Sequence, residues 1–198
     1  MPSDVSVQWL SPLRADDYAE YQDDSFLERL GIVLSTRSLN GFWPHRGPVW
    51  DGLGKSCRGD IFLIEAKSHI AEMRGKCRAG EESRGLIDSG LAETKGALAE
   101  GSQIDWAGTY YQYTNRLAHL YLLRHLNQIP AYLVFAYFIN DAEMNGPTSQ
   151  AKWLAAIQRL RTSLGLTHTP LSPFIADVFF DVNDLDSAGD PDVQGLAS

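Results

Sequence analysis

The chain has 198 residues, 44% of them hydrophobic, and a formal net charge of −8. That length supplies one sizeable core but not two, so we expect a single domain over residues 1–182 and a loosely ordered acidic tail over 183–198. The negative charge opposes broad phosphate neutralisation, the usual way of holding nucleic acid.

The sequence has none of the patterns that predict a membrane or secreted protein. The sequence has no apolar run long enough to cross a bilayer and no basic start followed by an apolar stretch, so we expect a cytoplasmic protein. Cys57 and Cys77 are too few and too far apart for a disulfide framework or a Cys-x-x-Cys metal site, and we expect both to be reduced.

The first half of the chain predicts a helix and a hairpin. Apolar residues at loosely helical spacing predict a helix over 16–30 that stops at Gly31, followed by a short β-prone run over 32–34. Residues 49–53 and 61–68 predict two strands. The segment between them has the Gly and Asp content of a hairpin turn, so the strands should pair antiparallel.

The second half predicts helices alternating with strands. Helices are expected over 86–99, 106–126 and 150–164, and strands over 131–139 and 175–182. The 131–139 strand is apolar throughout, as expected of a central strand covered on both faces. This order predicts an α/β domain whose mixed sheet is flanked by helices and is parallel where helices cross from residue 68 to residue 131.

Charged residues stand where a buried strand ends. Side chains alternate across a strand, so Glu65 and Lys67 share one face, and the hairpin brings Asp51 near them. Two converging carboxylates, with the carbonyl of Ala66 between them, are hard oxygen ligands suited to Mg²⁺ or Mn²⁺. Such an ion would stabilise charge developing on a phosphate, while Lys67 orients the attacking water or offsets charge. The pattern predicts a hydrolytic phosphodiester site.

Asp51 and Glu65-Ala66-Lys67, after an apolar strand, resemble the PD-(D/E)xK nuclease superfamily, which includes type II restriction enzymes and Holliday-junction resolvases. The resemblance implies a restriction-endonuclease-like core of helix, three antiparallel strands, helix and strand over residues 16–139. It also implies Asp51 and Glu65 as metal ligands, Lys67 as the catalytic lysine, and DNA as substrate. A glutamate of the first helix is implied as a further ligand: Glu20 or, better placed among apolar residues near the helix end, Glu28.

The resemblance has departures, and other interpretations stay open. Trp50 stands where the family pattern has proline, and a second acid-x-Lys, Glu93-Thr94-Lys95, is discounted because it falls on a predicted helix. Glu65 and Lys67 could instead be a structural ion pair at a strand end. A nuclease-like fold serving as a protein-binding or regulatory subunit is a further hypothesis, favoured by the net charge. A homodimer would suit double-strand cutting, and an RNA substrate is less favoured than DNA.

Further polar residues are candidates for substrate contact. Gln112 and Arg116 lie one turn apart on a predicted helix, His69 follows Lys67 by two, and Arg46 belongs to a possible substrate loop. The alternatives are a solvated helix face, a structural histidine and a solvated arginine. We also expect a basic rim around the site, made of Arg46, Lys55, Arg58, Lys67, His69, Arg74, Lys76 and Arg78.

Overall fold

The computed structural model describes residues 6–187. Within them, five strands form one mixed sheet in chain order. The strands are β1 (Val7–Ser11), β2 (Gly52–Ser56), β3 (Ile61–Lys67), β4 (Ala131–Ile139) and β5 (Ile175–Asp181).

Five α-helices accompany these strands in the described range. They are α1 (Asp23–Leu30), α2 (Glu81–Leu98), α3 (Tyr111–Tyr121), α4 (Gln150–Leu164) and α5 (Val182–Ser187). One π-helical turn, Leu122–Leu126, extends α3. Of the expected acidic tail, residues 183–187 belong to α5, and residues 188–198 lie outside the described residues.

The pairing of the strands confirms the two topological predictions. β2 and β3 are the arms of an antiparallel hairpin, and β3 and β4 pair in parallel. β1 continues the antiparallel part beyond β2, while β5 continues the parallel part beyond β4. The predicted bounds 131–139 and 150–164 are those of β4 and α4. Gly31 ends α1 in the left-handed conformation, with φ of 62°.

The predicted start of the first helix and the predicted strand after it are both wrong. Residues 14–16 form a 3-10 turn, and Asp17 and Tyr18 then take positive φ values of 56° and 57°, which interrupt any helix before Asp23. Residues 32–34 form no strand, and Val33 is 87% exposed. On the side away from β3, β2 pairs with β1, a strand that the sequence did not predict. The expected order, with three antiparallel strands after the first helix, is therefore wrong, because one of them precedes α1.

Other boundaries shift by several residues. β2 begins at Gly52, so Asp51 directly precedes the strand rather than lying within it. Just before it, Trp50 forms an isolated antiparallel bridge with Tyr21. α2 begins five residues before the predicted residue 86, and α3 begins five residues after the predicted residue 106.

Helices α1, α3 and α4 contact the same face of the sheet, the face that carries Glu65 and Lys67. Tyr113 of α3 stacks on Phe135 of β4 with ring centroids 4.7 Å apart. The ring centroids of Trp153 in α4 and Tyr137 in β4 are 4.7 Å apart. The ammonium of Lys55 in β2 donates to the Leu30 carbonyl of α1 at 2.8 Å. The hydrophobic core fills the space between this face and the helices.

The opposite face of the sheet is less covered. Phe62 and Tyr132 stack on each other there, and Phe180 is 41% exposed. Tyr132 and Val134 are half-buried, so the prediction that β4 is covered on both faces is wrong for this part of the strand. Cys57 and Cys77 are free. No helix among the described residues has the length and apolar character to cross a membrane.

Candidate functional site

The hairpin brings Asp51 to the end of β3. Gly52 pairs with Ile64, so Asp51, one residue earlier, lies beside the last residues of β3. The Ala66 N–H donates a hydrogen bond to Asp51 Oδ2 at 2.7 Å. This bond holds the Asp51 carboxylate against the peptide that follows Glu65, and so joins the two parts of the sequence motif.

Lys67 closes the cluster from the same face of β3. Its ammonium donates to Glu65 Oε1 and, at 2.9 Å, to the carbonyl oxygen of Ala66. Glu65 is only 1% exposed and Lys67 is also buried. A buried charge is costly unless it is paired, and this pairing makes the two charges tolerable at the end of a core strand.

Arg116 is the residue whose role sequence reasoning missed. Its Nε donates to Glu65 Oε2 at 2.6 Å and its Nη2 donates to the Val49 carbonyl at 2.9 Å. The guanidinium also lies 5.0 Å from the ring centroid of Trp50. Arg116 is buried, so it is a partner of Glu65 rather than a solvated or substrate-facing side chain.

The formal charges of Asp51, Glu65, Lys67 and Arg116 sum to zero, but the pKa of Asp51 is shifted. Burial raises the pKa of Asp51, and the charge of Glu65 raises it further. The Ala66 N–H, Lys67 and Arg116 oppose that shift. Lys67 and Arg116 pair with Glu65, whereas Asp51 is repelled by Glu65 and has no ion pair of its own among the described residues. A further cation would therefore stabilise the Asp51 carboxylate most.

The polar face of α3 is buried, so the interpretation of a solvated face is wrong. Asn115, Arg116 and His119 are all buried among the described residues. The signal available in the sequence was the apolar neighbourhood of Arg116, which is flanked by core positions such as Leu117. A cation at such a position needs a buried anion, and Glu65 is that anion.

His119 lies among three aromatic rings, one of which belongs to Trp50, the residue before Asp51. Its ring makes edge contacts with Phe26, Trp43 and Trp50 at centroid distances of 6.4, 5.0 and 6.1 Å. Its Nδ1 lies 3.0 Å from the Asn115 carbonyl. Burial lowers the pKa of His119 to about 3, so the ring is neutral at ordinary pH and supports Trp50 rather than exchanging protons.

The structure brings one further predicted substrate residue to the site and leaves two away from it. Gln112 lines a narrow cavity together with Glu65, Lys67 and Tyr137. His69 lies beyond the end of β3, where strand alternation no longer applies, and it pairs with Glu72 at 3.2 Å. The side chain of Arg46 is exposed in the loop before β2 and contacts none of the clustered charges.

The two candidate glutamates of the first helix occupy different places. Glu28 is exposed on α1, and its side chain makes no hydrogen bond or ion pair within the described residues. The Tyr21–Trp50 bridge is antiparallel, so the backbone of Glu20 runs beside Asp51. Glu20 is also exposed and precedes the helix. Glu28, the preferred candidate of the sequence analysis, is not part of the cluster.

The expected basic rim is only partly assembled. Lys55 pairs with Ile61 at the far end of β3 and reaches toward α1, and Arg58 lies in the hairpin turn at that same end. These two residues are therefore remote from Glu65. Arg74 and Lys76 instead follow the 3-10 turn after β3, on the side of the site.

The cluster offers the donor set expected for a divalent cation. Asp51, Glu65 and the Ala66 carbonyl supply hard oxygen atoms, and Mg²⁺ usually completes such a set with water. In the described residues no three His, Cys, Asp or Glu side chains converge to hold a metal ion. Two carboxylates and one carbonyl are thus the available ligands. Lys67 donates to Glu65 Oε1 and to the Ala66 carbonyl, and it must release whichever of these oxygen atoms is to bind the metal ion.

Comparison with family models, with curated proteins and with solved structures finds no match for this chain.

Proposed function

We propose that the chain is a metal-dependent phosphodiesterase of restriction-endonuclease-like architecture that hydrolyses DNA. The observation that carries the proposal is the 2.7 Å hydrogen bond from Ala66 to Asp51, because it joins the carboxylate before β2 to the Glu65-Ala66-Lys67 end of β3. The mixed five-stranded sheet, antiparallel at the hairpin and parallel at the crossover, supports the α/β part of this assignment, although its third antiparallel strand, β1, precedes α1.

Each residue has a role in the proposed reaction. Asp51, Glu65 and the Ala66 carbonyl would hold Mg²⁺ or Mn²⁺, which supplies charge stabilisation and an acidified water when it is bound. Lys67, once it is released from one of its two oxygens, offsets charge on the phosphate and orients the water. Arg116 pairs with Glu65 and fixes the direction of its carboxylate through its hydrogen bond at 2.6 Å.

The chain provides a matched control for the test. Glu93-Thr94-Lys95 repeats the acid-x-Lys pattern on α2, away from Asp51. We expect Mg²⁺-dependent cleavage of a DNA substrate to fall at least about 100-fold in Asp51→Asn and Lys67→Ala. The same cleavage should persist in Lys95→Ala. Wild-type rates in both site variants would refute the proposal.

Binding of the ion gives a second measurement that does not depend on finding the right substrate. Calorimetric titration of Mg²⁺ should show binding to the wild type and to Lys95→Ala, and weakened binding to Asp51→Asn. Asp51 is the better variant for this purpose because it is only partly buried, whereas Glu65 holds two buried cations and its loss threatens the fold.

A second candidate is a nuclease-like fold used as a protein-binding or regulatory subunit. The observation that favours it is that both oxygens of Glu65 are already engaged, one by Lys67 and one by Arg116. A closed ion cluster of this kind, in a chain with a net charge of −8, would need no metal. This candidate predicts a flat Mg²⁺ titration for the wild type, so the same calorimetry separates the two.

A further inference from the structure

An open cleft of about 630 Å³ lies beside the chain segment that follows β3 and its 3-10 turn. One wall is the segment 74–77, which runs along residues 107–111. Gly75 N–H donates to the Thr109 carbonyl at 2.7 Å, Cys77 N–H donates to the Ala107 carbonyl at 3.0 Å, and Tyr111 N–H donates to the Gly75 carbonyl at 3.1 Å. These main-chain bonds fix the wall before any ligand arrives.

The lining of the cleft is basic although the chain as a whole is acidic. Arg74 and Lys76 are two positions apart on the extended segment, so both project to the same side. Both are exposed, and neither has an ion pair within residues 6–187. Arg84 also lines the cleft and pairs with Asp88 at 2.8 Å. The acid of the lining, Asp105, has one oxygen committed to the Ala107 N–H at 2.9 Å.

Apolar surface lies between these charges. Tyr110 lines the cleft with its ring half-buried, and Ile104 is 46% exposed. Cations that track a backbone beside aromatic and apolar surface are the features with which proteins hold single-stranded nucleic acid. A duplex keeps its bases stacked inside and offers only their edges, so it would leave this apolar surface unused.

Consecutive residues of the chain line the cleft and the cavity at the carboxylate cluster. Met73 lines the narrow cavity that contains Glu65 and Lys67, and the next residue, Arg74, lines the cleft. Burial raises the pKa of Tyr111, Cys77 of the cleft raises it further, and the charge of Arg116, the partner of Glu65, opposes the shift. A strand lying along Arg74 and Lys76 would therefore lead to the carboxylates.

We propose that this cleft binds one unpaired strand of DNA and guides it to the Asp51–Glu65 cluster. The inference deepens the proposed nuclease function and rests on it for the identity of the reaction, but the binding itself needs no metal and no cleavage. Arg74 and Lys76 contact successive phosphates, while Tyr110 supports a base.

The test measures binding without cleavage. Fluorescence anisotropy with a labelled oligothymidine, in buffer containing EDTA, gives the affinity as a function of salt. Each phosphate neutralised on a single strand contributes roughly 0.7 to the slope of log K against log salt concentration. We expect Arg74→Ala/Lys76→Ala to reduce the magnitude of that slope by about 1.4 and to weaken binding.

The matched control removes two exposed arginines at the other end of the sheet. Arg58 lies in the hairpin turn, and the backbone of Arg37 is held by Asn127, shortly before β4 begins. Arg37→Ala/Arg58→Ala makes the same change in net charge, and it should keep the slope of the wild type. An equal loss of slope in both double variants would overturn the proposal, because the effect would then be one of net charge.

The remaining outcomes are equally decisive. A wild type that binds a duplex of the same length as tightly as the single strand overturns the assignment to an unpaired strand, and so does a wild type that does not bind oligothymidine. If oligothymidine binds through the cleft but Asp51→Asn and Lys67→Ala leave cleavage unchanged, the nuclease proposal fails and the cleft proposal stands. If the wild type cleaves DNA but Arg74→Ala/Lys76→Ala has the same slope of log K against log salt concentration as the wild type, only the cleft proposal fails.

Discussion

The buried His119 ring should make the protein measurably less stable in mild acid. Burial lowers the pKa of His119 to about 3, against an ordinary value of 6.5. Below about pH 6.5 the unfolded chain takes up a proton that the native ring resists. The stabilisation is therefore complete above that pH, and is lost progressively as the pH falls towards about 3.

The size of this effect follows from linkage. Each pH unit inside the window is worth about 1.4 kcal/mol, so the free energy of unfolding should fall by about 2 kcal/mol between about pH 7 and about pH 5 from this residue alone. That is a large share of the roughly 5–15 kcal/mol that stabilises an ordinary domain. Asp51 and Asp177, whose pKa values burial raises, act in the opposite direction and gain stability in acid.

Urea unfolding followed by tryptophan fluorescence measures this dependence. His119→Gln removes the titrating group, while Asp51 and Asp177 remain in both proteins and cancel in the comparison. The free energy of unfolding of the wild type minus that of His119→Gln should be about 2 kcal/mol smaller at about pH 5 than at about pH 7. His125→Gln, which replaces an exposed histidine, serves as control and should keep the wild-type pH dependence. Parallel curves for wild type and His119→Gln would refute the argument from burial.

Three further expectations concern stability and are checked by the same unfolding measurement. Gly90→Ala should destabilise the protein by roughly 1–3 kcal/mol, because the new Cβ would lie 2.9 Å from a main-chain carbonyl oxygen. On the same helix, the new Cβ of Gly85→Ala would meet nothing within 4 Å, and this variant should stabilise the protein by about 0.5–1 kcal/mol. Leu160→Ala, at a position 1% exposed, should cost about 2–5 kcal/mol, and Leu154→Ala, at one 47% exposed, less than about 0.5 kcal/mol. Arg116→Ala should cost about 3–5 kcal/mol because it strands a buried carboxylate. Equal effects within either matched pair, or a neutral Arg116→Ala, would contradict the packing described above.

Local patterns predicted much of the sheet. The apolar run 131–139 and the helix 150–164 have the predicted bounds because long segments of one character leave few alternatives. The hairpin turn between β2 and β3 was readable from its Gly and Asp residues. Predicted boundaries were wrong where the backbone adopts a conformation that local composition does not specify. Asp17 and Tyr18 have positive φ values, so α1 begins later than predicted.

The edge strand β1 was missed for a related reason. Val7–Ser11 is short and follows no turn signal, and its strand structure depends on the free edge of β2 beside it. Residues 32–34 are as β-prone in composition, but they pair with no strand of the sheet. β-propensity describes fitness for a pleated, half-buried surface, and the tertiary fold decides which segment receives that surface.

For the candidate site, the sequence by itself determined that Glu65 and Lys67 share a face and that the hairpin carries Asp51 toward them, because strand alternation and a tight turn are local geometry. Only the tertiary structure decided what those charges meet. A helical pattern shows that Arg116 and His119 share a face of α3, but it does not say which surface that face will cover. The packing of α3 on β3 turned an apparently solvated stripe into the buried partner of Glu65, because a buried charge is stable only where an opposite charge is brought to meet it.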